Sequence, residues 1–484
     1  MNIGELLKRG EGKTLEFKRD LSSPQNLLKT LVAFANTAGG KVIIGVEDKT
    51  RQPVGVENPL DEEERLCNLI ADAIAPRLVP NVELTTVDGK TLLVVEVFLS
   101  NSRPHYLRSQ GPDTGVYVRL GSTNRQADRE LIAELRRTVE GVSFDEMPMP
   151  ELTVNDLDLE AIRRTFKGIR EIDEQALSTL KLLVEHQGKP VPSKGGILLF
   201  GRDRTFHFPD CWVQCGRFIG TEKIDIFDHI DIDTLLPKAV DEVMLFLKKH
   251  AYRSADLSEV RRRDVWSIPL GILREVIINA LVHSDYSQRG APIRVVFLDD
   301  RIEVESMGIL LPGLTIEEMK QGTSRIRNPV IARVFKELNL IEQWGTGVRR
   351  IFAEAEELGL PEPKIEEIGM RLRFTVYLAK PHRIQTDGQK ALSGVESGVE
   401  SKMAVQVISF LKEKPFSKSE IAKRLGKTKP TRYLNDLMAK LLREGYVEYT
   451  IPGKPKSRLQ KYRLTKKGSQ VLQELPEKGK ANER

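Results

Sequence analysis

The sequence predicts a multidomain protein of the α/β and α+β classes. The chain has 484 residues, which exceeds a single domain of about 100–200 residues. Short β-branched runs such as Lys41–Val46 and Thr91–Phe98 alternate with helical patterns, as they do in α/β folds. A basic C-terminal segment follows a mildly acidic body. These observations indicate several domains of different character along one chain.

Composition shifts give the expected domain boundaries. Residues 140–155 are rich in Pro, Met and acidic residues, and residues 380–402 are polar with an imperfect repeat, so both segments are typical of linkers. We expect domains at 1–140, 155–379 and 403–474, a flexible linker at 380–402 and a disordered basic tail at 475–484.

Composition also excludes several protein classes. Hydrophobic residues make up 40% of the chain, which is enough to build cores. No run of about 18 apolar residues is present, so no transmembrane helix is expected. The first ten residues lack the apolar stretch of a signal peptide. Three cysteines do not make a disulfide framework, and Cys211 and Cys215 lack the partners of a zinc site. We expect a cytoplasmic protein without a membrane partner.

The net charge of +6 is unevenly distributed along the chain. Residues 401–484 hold 21 Lys and Arg against 8 Asp and Glu, a net charge of +13. The rest holds 54 against 61, a net charge of −7. A small basic segment on an acidic body favours a polyanionic partner. We expect that partner to be DNA, with RNA as the other candidate.

Gly10–Thr14 (GEGKT) superficially matches the end of a P-loop. The full motif needs a glycine where this chain has Leu7. A P-loop also follows a strand and begins a helix, whereas here a helical pattern precedes and an extended one follows. The sequence therefore predicts no P-loop.

The first 140 residues carry three motifs: Glu11–Lys18 (EGKTLEFK), Ala33–Gly40 (AFANTAGG) and Val42–Asp48 (VIIGVED). Tyr117–Arg119 and Gly121–Thr123 follow later. Together they resemble the Schlafen AlbA-2 domain over residues 4–136. The resemblance implies nucleic-acid binding.

Some Schlafen AlbA-2 members are metal-dependent endoribonucleases with three carboxylates. The matching residues here are Glu11, Glu16 and Asp48, which would hold Mg²⁺ or Mn²⁺. Lys18 would neutralise a phosphate. A regular strand places residues five apart on opposite faces, so Glu11 and Glu16 need a loop or bulge near Gly12 to converge. Three interpretations of these carboxylates stay open: a nuclease site, a binding site without cleavage, or surface charges in solvent.

The middle of the chain mixes strand and helix patterns. We expect strands near Gly196–Phe200, Cys211–Ile219, Ile293–Leu298 and Arg301–Ser306. We expect helices at Leu235–His250, Leu270–His283, Pro329–Leu338 and Val348–Glu357.

Arg274–His283 (REVIINALVH) carries the chemistry of this region. Glu275 and Asn279 are four residues apart, so they share one helix face. The segment resembles the N-box of GHKL ATPases. The resemblance implies that Asn279 bridges Mg²⁺ to the triphosphate of ATP and that Glu275 acts as the general base.

Further motifs of this region are His283–Tyr286, Gly290, Asp300–Glu303, Pro312–Leu314, Arg327–Pro329 and Trp344–Gly347. With them, residues 160–378 resemble the RecG-C-terminal-like branch of that superfamily, which is found in predicted transcriptional regulators. Gly345 and Gly347 would form a glycine lid over phosphates, followed by Arg349. Gly308 lies in Glu305–Ile309, the stretch that replaces the adenine-binding DxGxG box and lacks its Asp. If ATP binds, we expect it to drive a slow switch or clamp rather than a motor.

The pattern of residues 403–474 predicts three helices followed by a hairpin, with strands at Tyr446–Ile451 and Gln460–Leu464. The segment resembles a winged helix–turn–helix over residues 403–472. Its recognition helix would lie near Thr428–Arg443, with DNA contacts at its start and in a basic wing. The candidate contact residues are Lys427, Lys429, Thr431, Arg432, Tyr433, Lys454, Lys456 and Arg458.

Three functions remain open on the sequence. The first is a DNA-binding transcriptional regulator that senses a nucleotide, expected to act as a homodimer on palindromic DNA. The second is an endoribonuclease that uses the N-terminal carboxylates. The third is an interaction scaffold in which neither site turns over.

Overall fold

A computed structural model describes residues 3–48, 50–256, 263–341, 347–379, 402–425, 429, 432–443, 445–451 and 460–473. The chain separates into two compact units, residues 1–382 and 383–484. Among the described residues, no helix is both long enough and apolar enough to cross a bilayer. The predicted linker at 380–402 and the predicted tail lie almost entirely outside the described residues.

The N-terminal region of the first unit is an α/β fold around a four-stranded sheet. Its elements are α1 (Ile3–Lys8), β1 (Leu15–Lys18), α2 (Pro24–Asn36), β2 (Gly40–Ile44), α3 (Pro59–Ala73), β3 (Ile74–Ala75), β4 (Asn81–Val87), β5 (Lys90–Val97), β6 (Tyr106–Leu107), α4 (Gly111–Thr114), β7 (Tyr117–Leu120), β8 (Thr123–Gln126) and α5 (Arg129–Glu140). The sheet order is β1-β2-β5-β4, with β1 and β2 parallel. Helices α2 and α3 pack on this sheet over an aliphatic core.

Helix α2 fixes the position of the first motif loop. Pro24 occupies its first turn, which suits a residue without an N–H. The side chain of Ser23, which precedes the helix, makes no capping hydrogen bond. Gly39 has φ +71°, and a side chain there would come within 2.8 Å of the Val97 carbonyl oxygen. The tight turn from α2 into β2 therefore requires glycine at residue 39.

The middle region is built on a six-stranded sheet with the order β12-β11-β15-β16-β18-β17. Its elements are α6 (Leu159–Thr165), α7 (Glu174–Thr179), β9 (Leu183–His186), β10 (Lys189–Pro192), α8 (Lys194–Phe200), α9 (Arg204–His207), β11 (Val213–Ile219), β12 (Asp225–Ile232), α10 (Leu236–His250), β13 (Arg253–Asp256), β14 (Arg263–Trp266), α11 (Leu270–His283), β15 (Ile293–Phe297), β16 (Arg301–Met307), α12 (Ile316–Lys320), α13 (Pro329–Glu337), α14 (Gly347–Glu357), β17 (Lys364–Ile368) and β18 (Arg371–Tyr377). Helices α8, α10, α11 and α13 contribute to one large core with the sheet.

The predicted strand at Gly196–Phe200 is wrong, because this segment forms most of α8. Ser193 caps the helix, and its Oγ accepts a hydrogen bond of 2.9 Å from the Gly196 N–H. A side chain at residue 196 would lie 2.4 Å from the Leu182 carbonyl oxygen, so glycine permits close packing. An apolar run this short is compatible with either element when all its residues are buried.

The segment expected to be a linker at 140–155 is packed into the middle region. It forms 3₁₀ helices at Phe144–Glu146 and Val154–Asp156. Asp145 is fully buried, and its Oδ2 accepts hydrogen bonds from the Val330 and Ile331 N–H groups at 2.8 and 3.1 Å. Asp145 thus satisfies backbone donors in the first turn of α13.

Asp145 should make the stability of the first unit depend on pH. Burial raises the pKa of this carboxyl to about 7, although the two backbone hydrogen bonds act in the opposite direction. The folded state therefore holds a proton that the unfolded chain releases near pH 3.8. Stability from this group is complete below that pH and is lost as pH rises towards about 7. Between pH 5 and 8, the free energy of unfolding of Asp145→Asn should fall less than that of the wild type. Urea unfolding at each pH measures both values. Parallel pH profiles for the two proteins would contradict this assignment.

The second unit is a small helical domain with a two-stranded sheet. Its elements are α15 (Lys402–Glu413), α16 (Lys418–Arg424), α17 (Arg432–Arg443), β19 (Val447–Tyr449), β20 (Tyr462–Leu464) and α18 (Lys466–Gln473). The predicted order of three helices and a hairpin is confirmed, and α18 adds an element that was not expected. Ser417 and Glu420 form a capping box at the start of α16.

Candidate functional site

A cavity of about 470 Å³ lies between α11, strands β16 and β18 and the segment Gly308–Arg327, which contains α12 and is called the cavity loop below. Its apolar wall includes Ile309, Leu310, Leu314, Ile326, Leu372 and Phe374. Polar groups enter from α11 and from the start of α14. An apolar cleft with a few convergent polar groups is the usual form of a small-molecule site.

Glu275 and Asn279 both line this cavity, as the helical spacing predicted. The Asn279 Nδ2 group donates to the Glu275 carbonyl oxygen at 2.9 Å and to Glu275 Oε1 at 3.1 Å. The amide is thereby oriented through its donor end. Its oxygen is the type of ligand that suits Mg²⁺. The pair can therefore hold a metal–phosphate group at one end of the cavity.

Gly347 begins α14 directly against the Glu275 carboxylate. A side chain at residue 347 would place its Cβ 1.9 Å from Glu275 Oε1. Gly345, the other predicted lid glycine, lies outside the described residues. Arg349 is exposed and does not line the cavity, whereas its neighbour Arg350 does.

Gly308 forms the turn that leads from β16 into the cavity loop. Its φ is +99°, and a Cβ there would lie 2.0 Å from Arg327 Nη1. Both the backbone and the buried guanidinium therefore require glycine.

Gly308→Ala should destabilise the first unit by about 2 kcal/mol or more, because strain and steric conflict add. Urea unfolding measures this loss. The matched control is Gly290→Ala, since residue 290 also has a positive φ of +114° but a Cβ there would have no neighbouring atom within 4 Å. Equal losses in the two variants would show that Arg327 does not restrict residue 308.

Strand β16 separates the cavity from a charged face. Val304 and Ser306 line the cavity, and the alternate residues Glu303 and Glu305 do not. Burial alone would raise the pKa of Glu305, but the hydrogen bond from Lys223 and the nearby charges hold it below its usual value. No residue of β16 supplies an acid to the cavity, so the missing adenine-binding Asp is not replaced from this strand. The residues fit a metal-bound phosphate better than they fit specific adenine recognition.

The N-terminal carboxylates are not gathered around a common point. Glu16 is nearly buried on β1, where Lys18 Nζ binds Oε1 at 2.5 Å and Arg119 binds Oε2. Glu11 Oε1 accepts the Phe17 N–H at 2.9 Å, and Asp48 is exposed. Within the ranges that the structure describes, no three His, Cys, Asp or Glu side chains could hold a metal ion.

Arg119 is the residue of this region that sequence reasoning did not single out. Its side chain is 1% exposed and also donates to the Gly12 carbonyl oxygen at 3.1 Å and to Asn124 Oδ1 at 2.9 Å. Its guanidinium also lies over the Phe34 ring. The guanidinium thus ties β7 to the first motif loop. The sequence showed it only as part of the Tyr117–Arg119 motif.

The basic residues of the second unit are described only in part. Lys429 is exposed, and Arg432 and Tyr433 begin α17. The other candidate contacts lie outside the described residues: Lys427, Thr431, Lys454, Lys456 and Arg458. Placement of this group on a nucleic acid therefore stays a prediction.

Three segments match known protein families. Residues 11–128 match the family described as "Schlafen, AlbA_2". Residues 290–377 match "Putative ATP-dependent DNA helicase recG C-terminal". Residues 404–465 match "Filamentation induced by cAMP protein Fic-like, C-terminal domain", where the sequence had suggested a winged helix–turn–helix.

The solved structures that are similar to the chain include the following two proteins. The DIP2311 protein from Corynebacterium diphtheriae is 20% identical, with 96% of this chain and 94% of that chain covered and a TM-score of 0.42. The N-terminal domain of a RecG-related protein from Nitrosomonas europaea is 30% identical over 26% of this chain and 90% of that chain, with a TM-score of 0.22.

Proposed function

Because the chain carries a Schlafen AlbA_2 domain and a RecG C-terminal ATPase-like domain, we propose that it binds nucleic acid. We propose further that it is a transcriptional regulator controlled by ATP. ATP with Mg²⁺ would occupy the 470 Å³ cavity, with Asn279 at the metal and Glu275 beside it. The convergence of these two side chains with Gly347 is the observation that carries the proposal. The basic second unit would contact DNA.

A continuous set of contacts supports control of the AlbA_2 domain by the cavity. The cavity loop reaches the AlbA_2 domain at Gly313, whose N–H donates to the Thr37 carbonyl oxygen at 2.6 Å. The Thr37 hydroxyl in turn accepts the Arg119 N–H at 2.9 Å. Movement of the cavity loop on nucleotide binding would therefore act on the residues around Glu16.

A second contact joins the same two regions. Glu367 Oε1 accepts the Leu310 N–H of the cavity loop at 2.8 Å. Both oxygens of the same carboxylate bind Lys13 Nζ of the first motif loop at 2.9 Å. One carboxylate thus holds the cavity loop and the motif loop together. The cavity loop therefore contacts the AlbA_2 domain at two points, through Gly313 and through Glu367. A shift of this loop when nucleotide binds would move both contacts.

The salt dependence of DNA binding tests the role of the basic second unit. Binding of labelled duplex DNA should weaken steeply with salt, because cations of the protein replace counterions on phosphates. Replacing Lys427, Lys429 and Arg432 with Gln should lower the log–log salt slope by about 1 for each phosphate that the variant no longer neutralises. The matched control replaces three exposed lysines of the first unit that lie outside the AlbA_2 match, Lys167, Lys189 and Lys238, with Gln. An unchanged slope in the second-unit variant would exclude its three residues as DNA-binding residues.

Metal-dependent cleavage of RNA by Glu11, Glu16 and Asp48 is the alternative function. The geometry gives it no support, because Lys18 and Arg119 engage both oxygens of Glu16 and Asp48 is exposed. Incubation with structured RNA and Mn²⁺ tests it directly. Cleavage that is lost in Glu16→Gln would replace the regulator with a nuclease.

A further inference from the structure

A second cavity lies beside helix α5, on the side of the cavity loop that faces the AlbA_2 domain. Its volume is about 230 Å³. Four of its lining residues are arginines: Arg103, Arg137, Arg325 and Arg327. Glu134 and Asp285 supply the carboxylates among the described lining residues, so the cavity carries an excess of positive charge. We refer to it as the arginine cavity.

Two of these guanidinium groups are buried with unused donors. Arg103 is 8% exposed and Arg327 is 6% exposed. Within the described part of the chain, Arg103 Nε and Arg327 Nη1 have no hydrogen-bond partner. A buried charged donor without an acceptor is costly, and native proteins rarely leave one unsatisfied. Two guanidinium groups that line the cavity therefore each have a buried donor without an acceptor.

The contacts of Arg103 indicate that the missing acceptor is an anion. This guanidinium donates to neutral oxygens, the Ser100 carbonyl and the Thr138 hydroxyl. Burial, and then the positive charge of Arg325, lower the pKa of Arg103. Arg327 does have carboxylates nearby: its Nε lies 3.4 Å from Glu134 Oε1 and its Nη1 lies 4.0 Å from Asp285 Oδ2. Two like charges held close together beside a cavity are stabilised by an anion between them.

We propose that the arginine cavity binds a phosphate group, supplied as inorganic phosphate or as a small phosphomonoester. The planar fork of a guanidinium matches phosphate oxygens with two parallel hydrogen bonds. The volume is about half that of the nucleotide cavity, which suits one phosphate with a small substituent rather than a nucleoside triphosphate.

The position of the arginine cavity gives this ligand a role beyond the proposed function. Leu311 and Arg325–Arg327 line both cavities, so one short stretch of the loop separates them. A phosphate bound to Arg103 and Arg325 would hold that stretch against the AlbA_2 domain. The bound phosphate would thus fix the position of Arg325–Arg327, which also line the nucleotide cavity.

The test measures thermal unfolding of the full chain with increasing inorganic phosphate at constant ionic strength, balanced with sodium chloride. The apparent dissociation constant should rise at least about tenfold in Arg137→Gln, because one charged hydrogen-bond donor is lost. The matched control is Arg136→Gln, the exposed neighbour on the same helix, which should match the wild type. Asn279→Ala should also match, which excludes the nucleotide cavity as the source of the effect.

A second variant guards against misfolding. Arg103→Lys keeps the buried charge but loses the fork, and it should weaken phosphate binding by a similar factor. Equal phosphate responses in the wild type, Arg137→Gln and Arg103→Lys would overturn the proposal, as would a response lost only in Asn279→Ala. A parallel titration with an oligonucleotide that lacks terminal phosphates distinguishes the source. If that oligonucleotide alone depends on Arg137, the cavity binds a nucleic-acid backbone and the small-ligand proposal is wrong.

Discussion

Asn279→Ala is expected to weaken binding of ATP with Mg²⁺ by about 100-fold, or close to 3 kcal/mol. The amide is oriented by its hydrogen bonds to the backbone and carboxylate of Glu275. Alanine removes the oxygen that would meet the metal and leaves Glu275 without this donor. Titration of the full chain with a fluorescent ATP analogue measures the change.

Glu275→Gln is the matched control for that variant. A glutamine has the same shape, and its carbonyl oxygen can still accept the hydrogen bond from Asn279. Nucleotide binding should therefore stay within a few-fold of the wild type. Equal affinity in the wild type and Asn279→Ala would remove the assignment of this cavity to ATP. An equal loss in both variants would mean that the carboxylate itself binds the ligand.

Arg119→Met is expected to lower the free energy of unfolding of the first unit by about 3–5 kcal/mol. The substitution leaves the buried Glu16 carboxylate, on a residue that is 7% exposed, with Lys18 as its remaining cationic neighbour among the described residues. It also removes donors from the Gly12 carbonyl oxygen and from Asn124. Removal of one member of a buried ion pair costs more than the pair contributes, because the other charge stays buried.

Two further variants make this prediction specific. Arg125→Met changes an exposed arginine on the adjacent strand β8 and should cost less than about 0.5 kcal/mol. Adding Glu16→Gln to Arg119→Met should recover part of the loss, because the uncompensated charge is then removed. Urea unfolding of the wild type, Arg119→Met, Glu16→Gln and the double variant gives the coupling energy between the two side chains. Additive losses would show that Arg119 and Glu16 do not act as a pair.

The helical period was sufficient to predict that Glu275 and Asn279 lie on the same face of α11. Glu275 and Asn279 are on one helix, so a spacing of four residues places both on one face whatever the rest of the fold does. Arg350 could not be chosen over Arg349 in the same way. Both follow the lid glycines, and the rotation of α14 about its axis depends on packing that the local sequence does not encode.

The N-terminal site could not be predicted from local sequence, because its controlling residue is distant. Arg119 is 103 positions from Glu16, and the approach of β7 to β1 decides which charge that carboxylate meets. The motif suggested three acidic residues at one metal, but no local pattern showed a buried arginine. The arginine cavity was also not predicted, since Arg103, Arg137 and Arg327 come together only when α5 meets the cavity loop.

The central claim is that nucleotide in the cavity controls nucleic-acid binding. The most direct measurement is fluorescence anisotropy of a labelled DNA duplex with the full chain at fixed salt, with and without a non-hydrolysable ATP analogue and Mg²⁺. We expect the analogue to shift the dissociation constant for DNA severalfold in the wild type and to leave it unchanged in Asn279→Ala. Identical DNA affinity with and without an analogue that is shown to be bound would contradict it.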